Sequence, residues 1–331
     1  MWILFFLVLL GIPLYVYVVK IHLWGLFGGM PNPSAIENPE NDLSSELISA
    51  DGVSLGRYFR YNRSQVTYED LSPDLVNTLL LSEDHRFYDH AGMDFWAYPR
   101  VFWGILTFNH LGGGSTITQQ LAKNLFRTRG DELDGTLTRI GGPIKILVSK
   151  TKEWIISAQL EEKYTKEEII SMYLNTADFS SNAYGIKVAC ETYFNKQPGE
   201  LNVLESALIV GMLQNPALFD PHRFPNNALR KRNQVLSKLH YTHGYIKSIE
   251  EYDSMRNTPI QLDFSVQNHN LGLATYFRTI LRNDLMRWCK ANGYDLWESG
   301  LKIYTTIDSR MQQFAEEAMA EHMAVLQKEF E

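Results

Sequence analysis

Apolar positions along the 331-residue chain fall into three regimes. From Trp2 to Val19 no charged residue occurs, and only Lys20 and His22 interrupt the apolar run before Phe27. That length spans a bilayer core. Nothing basic precedes the run, as a cleaved signal peptide would require. The pattern therefore predicts a retained transmembrane helix within residues 1–28, with "GGMPNPS" as the linker leading away from it.

The second regime runs from Ser72 to about His243, where nearly every segment has helical periodicity. Ser72-Pro73 supplies an N-cap and a proline at the first helical position, and Leu75, Val76, Leu79 and Leu80 then mark a core-facing stripe. "KYTKEEIISMYLN" (163–175) starts at a Thr165 cap with glutamates in its first turn. "LNVLESALIVGMLQNP" (201–216) is apolar almost all round, which predicts a buried central helix. The third regime is strand-like. "ELISADGVSLGRYFR" (46–60) reads as a hairpin turning at Asp51-Gly52, and "SGLKIYTTID" (299–308) as a strand before a further helix.

The helical regime is broken by "LLLSEDHRFYDHAG" (79–92), where leucines give way to Glu83, Asp84, His85, Arg86, Asp89 and His90. Glu83 lies four residues beyond Leu79, so its carboxylate projects from the edge of the buried stripe. Desolvation disfavours the charged form of such a group, which is the tuning a general acid or base needs. A solvated charge cluster at a helix end is the plain alternative. A metal site of Asp84, His85, Asp89 and His90 is a weaker one, because the spacing fits no zinc pattern.

Two further segments carry candidate chemistry. In "GGGSTITQQLAKNLFRTR" (112–129) a glycine-rich loop opens a helix, and Thr116 with Gln119 makes a capping-box pattern. Such a start offers free N–H groups to an anion, and Gln119, Lys123 and Arg127 follow on one face. In "SKTKEWIISAQLEEKY" (149–164), Lys150 and Glu153 share a helical face. "SKTK" and "SSN" (180–182) imitate a penicillin-binding nucleophile pattern, but no K-T-G accompanies them, so the match is chance.

Charge and cysteine usage narrow the classes. A net charge of −7 argues against a nucleic-acid binder, so any anionic ligand needs a local cation cluster. Cys190 and Cys289 form neither a disulfide framework nor a metal spacing.

Taken together, "EDHRFYDHAG", "GGGSTITQQLAKN", "KTKEW", "EEIISMYLN" and "RKRNQVL" occur in the order and rough spacing of the five motifs of the peptidoglycan glycosyltransferases. These are glycosyltransferase family 51, the membrane-proximal domain of class A penicillin-binding proteins. The resemblance covers about residues 45–245, and "SGLKIYTTIDSRMQ" resembles the linker into a transpeptidase domain. It implies a mainly α, lysozyme-like helical glycosyltransferase domain with a small β linker region after one transmembrane helix. The segments are then 1–28 helix, 29–60 linker with hairpin, 61–248 glycosyltransferase domain, and 249–331 linker with the start of a truncated transpeptidase domain.

The family polymerises lipid II into glycan strands at the outer face of the bacterial cytoplasmic membrane, with undecaprenyl diphosphate as leaving group. By match to its motifs, Glu83 is the general base and Glu153 the second carboxylate near the departing diphosphate. Lys123 and Lys150 match the phosphate-binding lysines, with Arg127 assisting. Thr116, Gln119, Gln120, Tyr184 and Arg232 match cleft positions. Two carboxylates, Glu83 the more desolvated, suit inversion by direct displacement. No cofactor is required, and a divalent cation is compatible with diphosphate chemistry. Implied partners are lipid II, the growing glycan, the membrane and other cell-wall synthesis proteins, with no nucleic acid.

Two departures stand out. Ser149 replaces the usual arginine before Lys150, and the stretch from 128 to 148 is longer than usual, so Arg129 or Arg139 is expected to restore the charge. A lysozyme-like hydrolase or lytic transglycosylase, or a non-catalytic membrane scaffold, is the rival reading. The aromatic segment "FWAYPRVFWGILTFNHL" (95–111) is a candidate membrane contact, with core packing favoured by its all-round apolar character, and the 128–148 loop is the other candidate.

Overall fold

The computed structural model describes residues 2–21, 23–31, 45–58, 62–63, 65–96, 114–126, 128–129, 133–181, 183–265, 273–297 and 299–330. Most of the aromatic segment 95–111 lies outside these residues, as does Arg127.

Helix α1 (Trp2–Lys20) runs through Pro13 and carries no charge before Lys20. Its Tyr15 hydroxyl accepts from Thr151 at 3.2 Å, which fixes the helix against the body. Side chains 2–9 and 12 lie outside the described residues. Among the described residues no helix is long and apolar enough to cross a membrane, so the structure provides the helix and not the span.

The main body is helical, and its helices begin where the chain supplies caps. Helix α2 (Pro73–Glu83) has proline in its first turn, and Ser72 Oγ accepts the Leu75 N–H. Helices α3 (Ile117–Phe126) and α4 (Gly142–Lys163) follow. Helix α5 (Lys166–Thr176) opens on a reciprocal Thr165–Glu168 capping box. After α6 (Ile186–Phe194), helix α7 (Val203–Met212) buries every residue from Ser206 onward. It packs between α2 and α8 (Pro225–Ser237), while α3 packs against α4 and α5. Leu75, Leu79, Ile117, Leu121, Ile156, Leu160, Ile170, Leu174 and Ile209 form one continuous core. Burial of each such side chain contributes about 1.5–3 kcal/mol.

This body extends past the expected boundary at 248. Helix α9 (Ile249–Asn257) packs on α8, with Tyr252 in a cluster with Val235, Leu236 and Leu239. Ile260, Leu262 and Phe264 then lie against the main core.

A second, smaller core forms from the two ends of the chain. Strands β1 (Ser45–Ile48) and β2 (Ser54–Tyr58) pair antiparallel around the expected Asp51-Gly52 turn, with Gly52 at φ +83°. Strand β1 also pairs in parallel with the C-terminal strand Lys302–Tyr304, so that Leu47 faces Ile303. Leu47, Leu55 and Tyr58 are buried with Ala274, Cys289 and Leu296, the last group contributed by and around the helix Thr275–Asn292. The final helix, Ser309–Phe330, is tied on by Ser309, whose N–H and hydroxyl both donate to Asp51. The hairpin thus packs with the later strand and the helix Thr275–Asn292 in this core. A two-stranded pair, β3 (Asn62–Arg63) with β4 (Ala183–Tyr184), completes the sheets. Both cysteines are free and buried.

Candidate active site

Glu83 is the last residue of α2. The helix stops because Asp84 leaves helical geometry, and its side chain is committed elsewhere. Asp84 Oδ2 accepts the Ile117 N–H at 3.0 Å, which places a carboxylate on the N-terminal end of α3. That end carries the positive pole of the helix dipole. The His90 ring nitrogen lies 3.0 Å from Asp84 Oδ1 on the other side.

The same helix start is braced by the glycine-rich motif. Thr116 Oγ1 donates to the Gly92 carbonyl at 2.7 Å and accepts the Gln119 N–H at 3.2 Å. The Gln119 side chain also donates to Gly92. Only half of the expected capping box is therefore formed. Gly92 has φ +82°, and a Cβ there would come within 2.9 Å of the Ser157 backbone. Gln120, next on α3, reaches the first carboxylate: its Nε2 donates to Glu83 Oε2 at 3.1 Å, and its Oε1 accepts from the Tyr173 hydroxyl at 2.9 Å. Burial, with Glu83 nearby, pushes the Tyr173 pKa well above 10, so this hydroxyl stays a donor.

Glu153 sits mid-way along α4 and is fully buried. Lys150 Nζ lies 2.6 Å from its Oε2 and also donates to Ser115 Oγ at 2.7 Å. Arg129 Nε and Thr128 Oγ1 donate to its Oε1 at 3.1 and 3.3 Å. Lys123 on α3 feels the charge of both carboxylates. Burial, then Arg129 and Lys150, holds its pKa below the ordinary lysine value, while Glu153 and Glu83 pull the other way. Glu83, Glu153, Lys123, Lys150 and Arg129 therefore share one electrostatic neighbourhood.

Several expectations change. Glu83 is half-buried and held by a neutral amide, so Glu153 is the more desolvated carboxylate. Glu83 stands at the end of its helix, where the sequence pattern had put the charged cluster. Of the two substitute arginines, Arg129 reaches Glu153, whereas Arg139 is exposed beside Asp134 and Lys145. Arg232 does not line this cleft. It is buried and donates to the carbonyls of Met255, Arg256 and Thr258, fastening α8 to the end of α9. Ala228, Arg232 and Val235 recur at helical spacing on the buried face. That stripe in the sequence could have separated Arg232 from its neighbour Lys231.

Lys231 is the cation that sequence reasoning missed. It donates to Gln214 Oε1 and lies over the Phe219 ring. Burial lowers its pKa while Glu83 raises it, which puts it on the Glu83 side. Tyr184 sits half-buried in β4, its backbone paired with Arg63 and Asp178. The four residues of the alternative metal site do not converge. Asp84 and His90 pair with each other, while the His85 ring stands 5.5 Å from that of His243. Among the described residues no three His, Cys, Asp or Glu are grouped to hold a metal ion.

Residues 51–240 match the family model described as Transglycosylase. The chain belongs to the transglycosylase family. The chain is 30% identical over 291 residues to the penicillin-binding protein 1A of Escherichia coli strain K12, covering 88% of the chain and 32% of that protein. It is 31% identical over 317 residues to the penicillin-binding protein 1A of Aquifex aeolicus strain VF5, covering 95% of the chain and 40% of the relative. The chain thus spans between about a third and two-fifths of the length of these relatives. A crystal structure of penicillin-binding protein 1A from Haemophilus influenzae overlays on 84% of the chain and 29% of its own, with a TM-score of 0.43 and 22% identity.

Proposed function

We propose that this transglycosylase polymerises lipid II into peptidoglycan strands by inverting glycosyl transfer. Glu83 takes the proton of the acceptor sugar's 4-hydroxyl as that oxygen bonds to the donor's anomeric carbon. The bond from that carbon to undecaprenyl diphosphate breaks, and the diphosphate leaves as an anion beside Glu153.

The carrying observation is the contrast between the carboxylates. Glu83 is partly open and held by Gln120, as a base awaiting a proton requires. Glu153 is buried among Lys150, Arg129 and Lys123, three cations against one carboxylate. The surplus positive charge is fixed where an anionic leaving group develops, which is the arrangement that lowers a barrier. A hydrolase releasing a neutral sugar has no use for it.

In this reading α1 anchors the chain in the cytoplasmic membrane, with the body on the outer side near the lipid tail of the substrate. Trp24, Phe95, Trp96, Ile146 and Leu147 are exposed and suit an interfacial position. No cofactor takes part in the steps above, and a divalent cation would act only as a counterion to diphosphate.

Incubating the purified chain with labelled lipid II tests the proposal. Long glycan strands are expected. Cleavage of preformed peptidoglycan would favour the hydrolase, and neither product would leave a scaffold.

A further inference from the structure

Hydrogen bonds close a circuit beside Glu83. Asp84 Oδ2 accepts the Ile117 N–H at 3.0 Å, and next along α3 the Thr118 hydroxyl donates to Glu161 Oε1 at 2.5 Å. Glu161, near the end of α4, pairs through Oε2 with Lys166 Nζ at 2.7 Å. Lys166, the first residue of α5, also donates to the His90 carbonyl at 2.6 Å. The His90 ring nitrogen returns to Asp84 Oδ1 at 3.0 Å. Every link is a direct contact.

Burial makes the circuit rigid. Thr118 is fully buried, and the side chains of Glu161 and Lys166 are 6% and 19% exposed. The Lys166 ammonium lies 4.2 Å above the centre of the buried Phe87 ring, a cation–π contact that holds it over the 87–90 turn. The Phe87 ring in turn meets that of His90 edge-on, with 6.1 Å between centroids. A carboxylate, a carbonyl and an aromatic face therefore fix one ammonium, and a buried network so fully bonded rigidifies its members. The Lys166 stem also starts from fixed backbone, because the Thr165–Glu168 capping box surrounds it.

We propose that Lys166, Glu161 and Thr118 are positioning residues for Glu83. Glu83 needs such support because α2 ends on it, and Asp84, next in the chain, has left helical geometry. The circuit holds Asp84 from two sides, through Ile117 and through His90. It also holds the start of the helix whose Gln120 donates to Glu83. The chain neighbour of Glu83 and its amide partner are thereby both tied to Lys166. Helix α5 thus has a part in the site through its first residue. The inference rests on reading Glu83 as the general base.

The test uses the full chain in detergent, with Lys166→Met and Thr118→Val as independent ways to open the circuit. Thr118→Val keeps the buried shape and removes one bond, so it stays informative if Lys166→Met misfolds. Each should lower kcat about tenfold to a hundredfold, the range that a small displacement of a catalytic group causes, with little change in KM. The double variant should lose no more than the more damaged single variant, because a circuit already open cannot be opened again. Lys196→Met is the control. It breaks an ion pair of the same 2.7 Å length, with Glu205 on α7, which has no part in the circuit, and should leave kcat unchanged.

Hydrogen exchange at the Ile117 amide separates failure of the circuit from failure of the functional reading, because it needs no turnover. Both single variants should speed it, since the circuit holds its acceptor, Asp84. Unchanged exchange at Ile117, wild-type kcat in both single variants, or losses that multiply in the double variant would each overturn the proposal. An inactive wild-type chain whose Ile117 amide responds to both variants would support the circuit and count against lipid II polymerisation alone.

Discussion

Asp84 Oδ2 accepts the backbone N–H of Ile117 at 3.0 Å, and this bond locks the two halves of the site together. Asp84 follows Glu83 directly, while Ile117 opens the helix that carries Gln120 and Lys123. One hydrogen bond therefore fixes Glu83 relative to the helix that holds both its amide partner and a cation. Asp84→Ala should cost about 1–2 kcal/mol in denaturant unfolding, the usual value of a lost helix-end acceptor. It should lower kcat as well, and Asp84→Asn, which retains an acceptor, should recover part of both. Full turnover in the alanine variant would mean the lock is dispensable.

Glu83→Gln keeps the shape that Gln120 meets but removes the basic oxygen. Polymerisation should fall by roughly 10²-fold or more, the usual contribution of a general base. The thermal midpoint should barely move, since the residue is half-buried and its amide can still accept from Gln120. Near-normal strand synthesis would remove Glu83 from the mechanism.

Lys123 has a pKa held below its ordinary value, chiefly by burial. Its charged form is therefore less favoured folded than unfolded, and at neutral pH the charge costs stability. As pH rises through the folded pKa towards the ordinary lysine value, the folded protein releases the proton first and that cost disappears. Lys123→Met should melt higher than wild type at pH 7, with the gap closing in alkali. Its turnover should nevertheless fall roughly 10²–10³-fold. Melting curves against pH, paired with lipid II assays, check both signs. A Lys123→Met chain that melts lower at pH 7 would contradict this account.

Arg129 and Arg139 were equivalent candidates for the charge missing at Ser149, and they now separate. Arg129→Ala should reduce strand synthesis roughly 10²-fold, by analogy with a lost transition-state donor. Arg139→Ala should not. Ser149→Arg, which sequence alone suggests is neutral or activating, should destabilise the chain, because Ser149 is only 4% exposed. Overpacking of this kind costs about 1–3 kcal/mol, readable in the same unfolding experiment.

Local features of the fold were legible because local chemistry enforces them. The Ser72 and Thr165 caps and the Asp51-Gly52 turn each satisfy backbone groups within a few residues. The motifs likewise named Glu83, Gln120, Lys150 and Glu153. What sequence could not give was how side chains are shared across the fold. Glu153 is the more deeply buried carboxylate because α4 runs through the core, whereas α2 ends at Glu83. Arg232 faces the end of α9 and Lys231 the Glu83 side, a distinction set by one residue of helical rotation. The hairpin was recognised, but its parallel partner strand lies far along the chain, where no periodicity connects the two.

That parallel pairing has a consequence for biosynthesis. Leu301 donates to Ser45 across 256 positions of sequence, so the small sheet cannot close until that later strand has left the ribosome. At about 5–20 residues per second, the hairpin waits roughly 12–50 s for its third strand. The helical body can fold during that delay, because the helices of its core, from Pro73 to Asn257, lie between the two strands in sequence. Throughout it, one edge of β1 is bare, and an unpaired edge invites pairing with another chain. Nascent molecules are therefore most vulnerable to misassembly in that interval, when the helical body is already formed and only the seam between β1 and the strand Lys302–Tyr304 remains open.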